Sequence, residues 1–283
     1  LEGIPVDAPD RNYRDPWPKP ELICAVERFY ALIGFRDPEQ ITGLLARFCP
    51  ETLVPEVSAL KNQPDKTGIR DFFRSLMTMD KRRCKNIIRE AIFRTEEIDS
   101  PEASWIRHLY GFYADDPGVL APAFLNIVTM EPGEAVFLAP GVLHSYLCGV
   151  GMEIMANSDN VVRGGLTKKN IDTEQLLRVV EFSPGPPIRI KPCPAGDFEK
   201  IYPAAAKEFA LSEIRIKNSE TWQGPDRHSA EILFCINGNA RVSSQAENSS
   251  LKIKKGQAVL VPAAAGKYKA SGSAVLYRAG VLS

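Results

Sequence analysis

Histidine is scarce in this 283-residue chain, which contains His108, His144 and His228 alone. Any metal site built mainly from imidazoles is therefore sharply limited, and a bound metal would need oxygen ligands as well. Paired cysteines are absent, because the six stand apart at positions 24, 49, 84, 148, 193 and 235. We expect reduced, mostly buried thiols of a cytoplasmic protein rather than a disulfide framework or a zinc finger.

An excess of either charge is absent too, since 35 Lys and Arg balance 35 Asp and Glu. No global field favours nucleic acid or anionic lipid, so an anionic ligand would have to be held locally. No apolar run reaches the length of a membrane span, and no cleavable signal is recognisable. We therefore expect a small-molecule partner, with neither nucleic acid nor membrane, on a chain long enough for two or three domains.

A starting methionine is also missing, because the chain opens with Leu1-Glu2-Gly3-Ile4 and its first methionine is Met77. We interpret the chain as part of a longer protein.

Apolar residues recur with helical spacing after Glu21 and continue to about residue 115. Asp37-Pro38 supplies a cap and a first-turn proline for one of these helices. Its apolar face is formed by Ile41, Leu44, Leu45 and Phe48. The spacing predicts a helical domain over residues 22–115, with His108 on a helix face.

The remainder is rich in strand and turn signals. Phe124 to Met130 and Ala135 to Leu138 are predicted strands, and Asp172 to Leu177 a short helix. Asn237-Gly238 predicts a two-residue hairpin turn, and His228 is expected in an exposed loop.

The stretches from Gly133 to Pro140 and from Gly256 to Pro262 share a Gly-x-Ala-Val pattern and end in proline. They are expected to be equivalent strands of two related barrels. We predict a mainly β fold with an α insertion: a catalytic domain over 1–21 and 116–182, the helical domain, and a second β domain over 183–283.

His144 follows a tight Pro140-Gly141 turn, in a pattern that resembles the second half of the cupin signature. There, such a turn delivers a histidine to a metal inside a jelly-roll barrel, where neutral imidazole is a good zinc ligand. A buried histidine bonded to backbone is the alternative. From the residues alone, Glu21 is better explained as a charge at a helix start, and Lys19 as a solvated side chain.

Arg163 lies in a polar run from Ser158 to Lys169 that contains two glycines. A fixed guanidinium there could grip a phosphate bidentately. An ordinary surface pair with a neighbouring aspartate explains the pattern equally well.

Taken together, these segments resemble the type I phosphomannose isomerases, zinc enzymes of the cupin superfamily. The segments are Gly3-Ile4-Pro5, Asn12-Tyr13-Arg14-Asp15-Pro16, Lys19-Pro20-Glu21-Leu22 and the run from Ile154 to Thr167. The resemblance implies two cupin-type jelly rolls and a helical domain. It also implies interconversion of mannose 6-phosphate and fructose 6-phosphate, in carbohydrate metabolism towards GDP-mannose, by a monomer with one zinc per chain.

Carried over by motif, the resemblance makes Glu21 and His144 zinc ligands and Arg163 the catalytic arginine. It places Lys19, Asp159 and Lys169 against the substrate.

The chain departs from the family in three places. The family's Gln-x-His segment, which supplies two further zinc ligands, is not found ahead of Asn12. Pro18 and Lys168 replace a usual histidine and a common proline. With two of four ligands, we expect weak zinc binding and little or no turnover. The alternative is a non-catalytic, cupin-like sugar-phosphate-binding protein; a cupin oxygenase would need a His-x-His cluster that the sequence lacks.

Overall fold

The structure, a computed structural model, describes residues 15–167, 171–217, 220–244 and 249–281. Its helices are α1 Pro38–Phe48, α2 Val54–Asn62, α3 Lys66–Met77, α4 Lys81–Thr95, α5 Pro101–Tyr113, α6 Ala121–Phe124 and α7 Thr173–Val179. The strands of the first half are β1 Glu21–Ala25, β2 Phe29–Phe35, β3 Leu125–Met130, β4 Ala135–Leu138, β5 His144–Cys148, β6 Gly151–Met155 and β7 Ile188–Ile190. The later strands are β8 Cys193–Pro194, β9 Glu199–Tyr202, β10 Ala210–Ile216, β11 Thr221–Gln223, β12 Glu231–Ser244, β13 Ser249–Lys254, β14 Ala258–Val261 and β15 Tyr268–Gly280.

Two small sheets form the first β region, with strand orders β6-β1-β4-β7 and β3-β2-β5. Along β1 the side chains alternate between two cores, as the pleat of a strand requires. Leu22 and Cys24 pack against the C-terminal β region. Ile23 and Ala25 point the other way, into a core shared with the second small sheet. This alternation decides where Glu21 points.

The C-terminal β region is a sheet ordered β13-β12-β15-β10-β9-β8, with β11 and β14 pairing to β15 and β12. The predicted mixture of sheets and helices is confirmed. In the described part of the chain the sheets are open, so two closed jelly rolls are not confirmed.

The helical unit, residues 38–124, is inserted between β2 and β3, which pair with each other so that Phe35 faces Leu125. Three of its helices, α3, α4 and α5, have stabilised N-termini, because the side chains of Asp65, Asp80 and Ser100 cap their first turns. Phe35 stacks on Phe124, and both rings pack edge-on against Phe73 of α3. The insertion is thus rooted in the β region by aromatic packing.

The prediction that helical structure begins at residue 22 is wrong, because Glu21–Ala25 and Phe29–Phe35 are strands. Both strands are covered on two faces, so their apolar residues form nearly continuous runs without the alternation that marks a half-exposed strand. The first helix begins at Pro38, with Asp37 as its N-cap residue, although the carboxylate makes no capping hydrogen bond. The strand predicted from Phe124 to Met130 is confirmed from Leu125 onwards, because Phe124 ends α6. The predicted strand at 135–138 and the helix after Asp172 are confirmed.

The predicted hairpin at Asn237-Gly238 is wrong. These residues lie inside β12, whose register against β15 shifts between Cys235 and Asn237. Gly238 has φ +73°, and a Cβ there would lie 2.1 Å from the Ser273 carbonyl oxygen. The glycine therefore serves a β-bulge, which needs the same positive φ as a hairpin turn.

The two Gly-x-Ala-Val stretches do form matching elements. Gly133 and Gly256 adopt φ +88° and +83°, and each precedes a four-residue strand, β4 and β14. Both stretches are strands, as predicted, but their equivalence in two related barrels stays a prediction.

A buried ionic network lies in the C-terminal β region. Arg278 lies 2.8 Å from a carboxylate oxygen of Glu199 and 2.7 Å from one of Glu231, and both carboxylates are buried. Glu199 also accepts hydrogen bonds from Ser212 at 2.5 Å and from the Trp222 indole at 3.0 Å. One guanidinium thus compensates two carboxylates that have left water.

His228 lies beside this network, which corrects its prediction as an exposed loop residue. Its side chain is 2% exposed, and its two ring nitrogens lie 2.7 and 2.9 Å from the carbonyl oxygens of Ser229 and Gly266. The polar sequence around it concealed this burial, because one of its two backbone partners, Gly266, is 38 residues away in sequence. His108 lies on the exposed face of α5, as predicted.

The cysteines are all free; Cys148 and Cys193 are exposed and the other four buried. None of the helices in the described ranges is long and apolar enough to span a bilayer.

Candidate active site

Glu21 is the first residue of the central strand β1, where it pairs with Leu138 on one side and Met155 on the other. Its side chain lies on the same face as Ile23 and so points between the two small sheets. It is 11% exposed, and one carboxylate oxygen lies 3.2 Å from the ammonium of Lys19. Glu21 is therefore a fixed, nearly buried anion rather than the helix-start charge that its local sequence indicates.

His144 is brought to the same space by the Pro140-Gly141 turn. Gly141 adopts φ +86°, and a Cβ there would lie 2.6 Å from the carbonyl oxygen of Val179, so only glycine fits. The turn places His144 at the start of β5, opposite Ile33 of the inner core. Its ring therefore faces inwards, towards Glu21.

The two ring nitrogens of His144 have different partners. Nδ1 lies 2.8 Å from the carbonyl oxygen of Val142, which can only accept, so Nδ1 carries a hydrogen. Nε2 lies 3.3 Å from Glu21 Oε2. The backbone contact fixes the orientation of the ring. Nε2 is therefore the nitrogen that faces Glu21 and could bind a metal beside it.

The electrostatics of this pair follow from its contacts. Burial alone would lower the pKa of His144, but its hydrogen bonds to Glu21 and to the Val142 carbonyl raise the pKa above its ordinary value. Burial would raise the pKa of Glu21, but hydrogen bonding and charge from His144 and Lys19 bring the pKa below its ordinary value. Both shifts favour the charged form of each group, because each partner stabilises the charge of the other.

Arg163 lies on the loop that follows β6. The guanidinium is exposed and has no salt bridge or hydrogen bond within the described ranges, so the predicted alternative of an Asp–Arg surface pair is not observed. It lines a cavity of about 820 Å³ that Lys19, Glu21 and His144 also line. Four of the six predicted site residues are therefore brought together around one space.

The other two behave differently. Asp159 is exposed and is not among the residues lining the cavity; its backbone N–H donates to Asp15 at 3.3 Å. Its role against the substrate stays a prediction. Lys169 lies outside the described residues.

Glu153, which also lines the cavity, and its hydrogen-bond partner Tyr146 were not predicted from the sequence. They pair with Ile23 and Ala31 respectively, so both face the inner core between the sheets. The Tyr146 hydroxyl donates to Glu153 at 2.6 Å, and burial together with this carboxylate raises the pKa of Tyr146. The sequence feature that could have indicated Glu153 is a carboxylate inside a short apolar strand, Gly151-Met152-Glu153-Ile154-Met155.

The donor set of the cavity suits a metal only in part. A carboxylate and an imidazole in contact, with the imidazole oriented by a backbone carbonyl, fit one side of a zinc site. No cluster of three or more metal-ligating side chains occurs among the residues that the structure describes. Among the described residues, Glu21 and His144 are therefore the donors that a metal in this cavity would meet.

Known proteins resemble the chain over almost its whole length. Residues 199–280 match the family model of the mannose-6-phosphate isomerase cupin domain. Mannose-6-phosphate isomerase of Escherichia coli K12 is 36% identical over 268 residues, covering 92% of this chain and 66% of that protein. The Salmonella typhimurium LT2 enzyme is 35% identical over 283 residues, covering 98% of this chain and 69% of that one.

Solved structures agree with these relatives. A crystal structure of zinc-bound mannose 6-phosphate isomerase superimposes with a TM-score of 0.87 at 34% identity, over 99% of this chain and 70% of that chain. The chain spans about two thirds of the length of the curated relatives it matches. On this likeness of sequence and fold, the chain belongs to the mannose-6-phosphate isomerase family.

Proposed function

We propose that this chain interconverts mannose 6-phosphate and fructose 6-phosphate, with one zinc ion held in part by Glu21 and His144. The observation that carries the proposal is the shared cavity, in which the Glu21–His144 pair and the guanidinium of Arg163, unpaired among the described residues, line one space. Sugar phosphates are the substrates, and a single chain in the cytoplasm is the working unit.

Zinc, when bound, would polarise the sugar oxygens and favour the negative charge that develops during the reaction. The reaction moves a proton between C1 and C2 through an enediol. Arg163 adds a fixed positive charge near the reacting carbons, and Lys19 adds another beside Glu21. Lys169 is proposed to hold the phosphate, so that its binding energy orients the sugar.

Proton transfer requires a group that can accept and return a proton at these carbons. Glu153 is the carboxylate of the cavity that is not needed to hold metal, and it faces the same interior as His144. We assign the transfer to Glu153, with the Tyr146 hydroxyl at 2.6 Å holding the carboxylate in place.

Only two protein ligands are available in the described site, whereas tetrahedral zinc takes about four donors. We therefore expect the 283-residue polypeptide to bind zinc weakly and to turn over slowly or not at all. Stoichiometric, tight zinc with ordinary turnover would show that the site is complete as it stands.

The function is tested by completing the ligand set. The chain is fused to the part of the Escherichia coli relative that the match does not cover, and fructose 6-phosphate is supplied with zinc. Conversion to mannose 6-phosphate should rise by at least about a hundredfold over the chain alone, and EDTA should abolish it. A folded, zinc-loaded fusion that binds fructose 6-phosphate without converting it would favour the non-catalytic sugar-phosphate-binding protein, a reading supported by the two-ligand site.

Zinc affinity should depend on pH in a definite direction. Since the pKa of His144 is raised, its imidazolium dominates below that pKa, and zinc must displace a proton from Nε2. Affinity should therefore rise by about tenfold per pH unit below the raised pKa and level off above it. Calorimetric zinc titrations at several pH values measure this, with His108→Gln, on the exposed face of α5, as the control. A pH-independent affinity would show that His144 is not a ligand.

A further inference from the structure

Asp15 joins the segment before β1 to the loop after β6. Its carboxylate accepts hydrogen bonds from the Trp17 N–H at 2.9 Å, the Ser158 hydroxyl at 3.1 Å, the Asp159 N–H at 3.3 Å and the Asn160 amide at 3.1 Å. These contacts, led by the Trp17 N–H, hold the pKa of Asp15 below its ordinary value. One carboxylate thus gathers donors from two segments more than 140 residues apart in sequence.

Asn160 also forms hydrogen bonds with the backbone of the segment that contains Asp15. Its amide nitrogen donates to the carbonyl oxygens of Asp15 at 2.9 Å and Trp17 at 3.3 Å, and its amide oxygen accepts from the Asp15 N–H at 3.4 Å. Asp15 and Asn160 therefore bind each other through both side chain and backbone. We name this pair the Asp15–Asn160 latch.

The latch joins two segments that both line the cavity. Lys19 and Glu21 follow Asp15 on the way into β1, and Arg163 is the third residue after Asn160. Ala156 N–H donates to the Pro20 carbonyl at 3.1 Å, so the two segments run side by side from the latch to β1. The position of the guanidinium relative to the Glu21–His144 pair therefore depends on this junction.

The far end of the same loop is fixed by the helical unit. The Thr167 N–H donates to Asp116 at 3.4 Å, and Gly118 lies so close to Leu166 that an added Cβ would be 3.0 Å from its side chain. Leu166 has φ +52°, a left-handed conformation that a side chain rarely adopts. Val162 also packs against the helical core. With these contacts in place, the latch fixes the end of the loop nearer to Glu21.

We propose that Asp15 and Asn160 are positioning residues, which set the separation between Arg163 and the Glu21–His144 pair. The proposal rests on the proposed function for the meaning of that separation, but the latch itself is a property of this chain. A misplacement of about 1 Å can cost roughly a hundredfold in a reaction that needs oriented groups.

The first measurement is hydrogen–deuterium exchange of the backbone amides in residues 157–163. Asp15→Asn turns one acceptor oxygen into a donor that faces other donors, and Asn160→Ala removes the reciprocal amide. Both variants should exchange these amides faster than the wild-type chain. Because the two residues act as a unit, the double variant should differ little from either single one.

The second measurement uses the completed fusion with zinc and increasing fructose 6-phosphate; it labels arginine with phenylglyoxal and quantifies Arg163 modification by mass spectrometry. The sugar phosphate should protect Arg163 of the wild-type chain. Each latch variant should need roughly tenfold more fructose 6-phosphate, or more, for half-protection. Asp226→Asn, which removes an exposed carboxylate paired with Lys267 at 3.0 Å, is the matched control and should behave as wild type.

Different results would contradict the latch, its positioning role and the proposed function. Faster exchange with unchanged half-protection would overturn the positioning role, and unchanged exchange in both variants would overturn the latch. If fructose 6-phosphate fails to protect wild-type Arg163, the proposed function fails, while the exchange measurement still decides whether the latch holds the loop. Should Asp15→Asn not fold, Asn160→Ala and Ser158→Ala carry both measurements.

Discussion

Arg163→Ala is expected to lower the kcat of the zinc-loaded isomerase by about a hundredfold to a thousandfold, as loss of one fixed donor to a developing charge does elsewhere. The side chain has no partner among the described residues and lines the cavity, so its removal costs the fold little. Arg163→Lys keeps the charge but loses the planar fork, and should fall between the two. Steady-state conversion of fructose 6-phosphate by the completed fusion measures all three.

The control is Arg178→Ala on α7. Arg178 is also exposed and forms a surface pair with Glu174 at 2.6 Å, so its loss should leave kcat unchanged. If Arg163→Ala kept the wild-type kcat and only raised KM, the guanidinium would bind the substrate in its ground state without assisting the reaction.

Arg278→Ala should reduce the free energy of unfolding of the C-terminal β region by about 3–5 kcal/mol, the usual cost of leaving a buried charge unpaired. Two carboxylates, Glu199 and Glu231, would lose their shared cation while both stay buried. Urea denaturation followed by Trp222 fluorescence measures the change, with Trp17 and Trp105 replaced by phenylalanine. Trp222 is a local probe because its indole donates to Glu199 at 3.0 Å.

Arg241→Ala is the matched control for this substitution. Arg241 lies on an exposed position of β12 and donates to Ser250 at 2.9 Å, so its loss should change stability by less than about 0.5 kcal/mol. Equal effects of the two substitutions would show that water reaches Glu199 and Glu231 and that the network is not a buried one.

The sequence predicted the site better than it predicted the strand that carries it. Glu21 was predicted as a ligand only through the family resemblance of its Lys-Pro-Glu segment, while its own surroundings indicated a helix start. The chain is buried on both sides there, which removes the alternation that reveals a strand. His144 was easier, because Pro140-Gly141 gives a physical reason for a turn that only glycine can make.

Glu153 and Tyr146 could not have been found in the same way. Their importance depends on register. Glu153 lines the cavity and Tyr146 bonds to it, because each lies on the same sheet face as its partner, Ile23 or Ala31. Register is a pairing between distant segments, and a shift of one residue would turn both side chains outwards. The hairpin prediction at Asn237-Gly238 failed for a related reason. The sequence indicates a positive φ at Gly238, but it does not show the partner strand that distinguishes a bulge from a hairpin turn.

The insertion of the helical unit between two paired strands has a consequence for how the chain folds. Phe35 and Leu125 are neighbours in the sheet but stand roughly 90 residues apart in sequence, so pairing β2 with β3 closes a very long loop. That closure is entropically costly while the intervening segment is extended, and it becomes cheaper once the helices have collapsed and drawn the two ends together. The order of assembly that this favours is helices first, with the inner face of the sheet, and Glu21 with it, formed last.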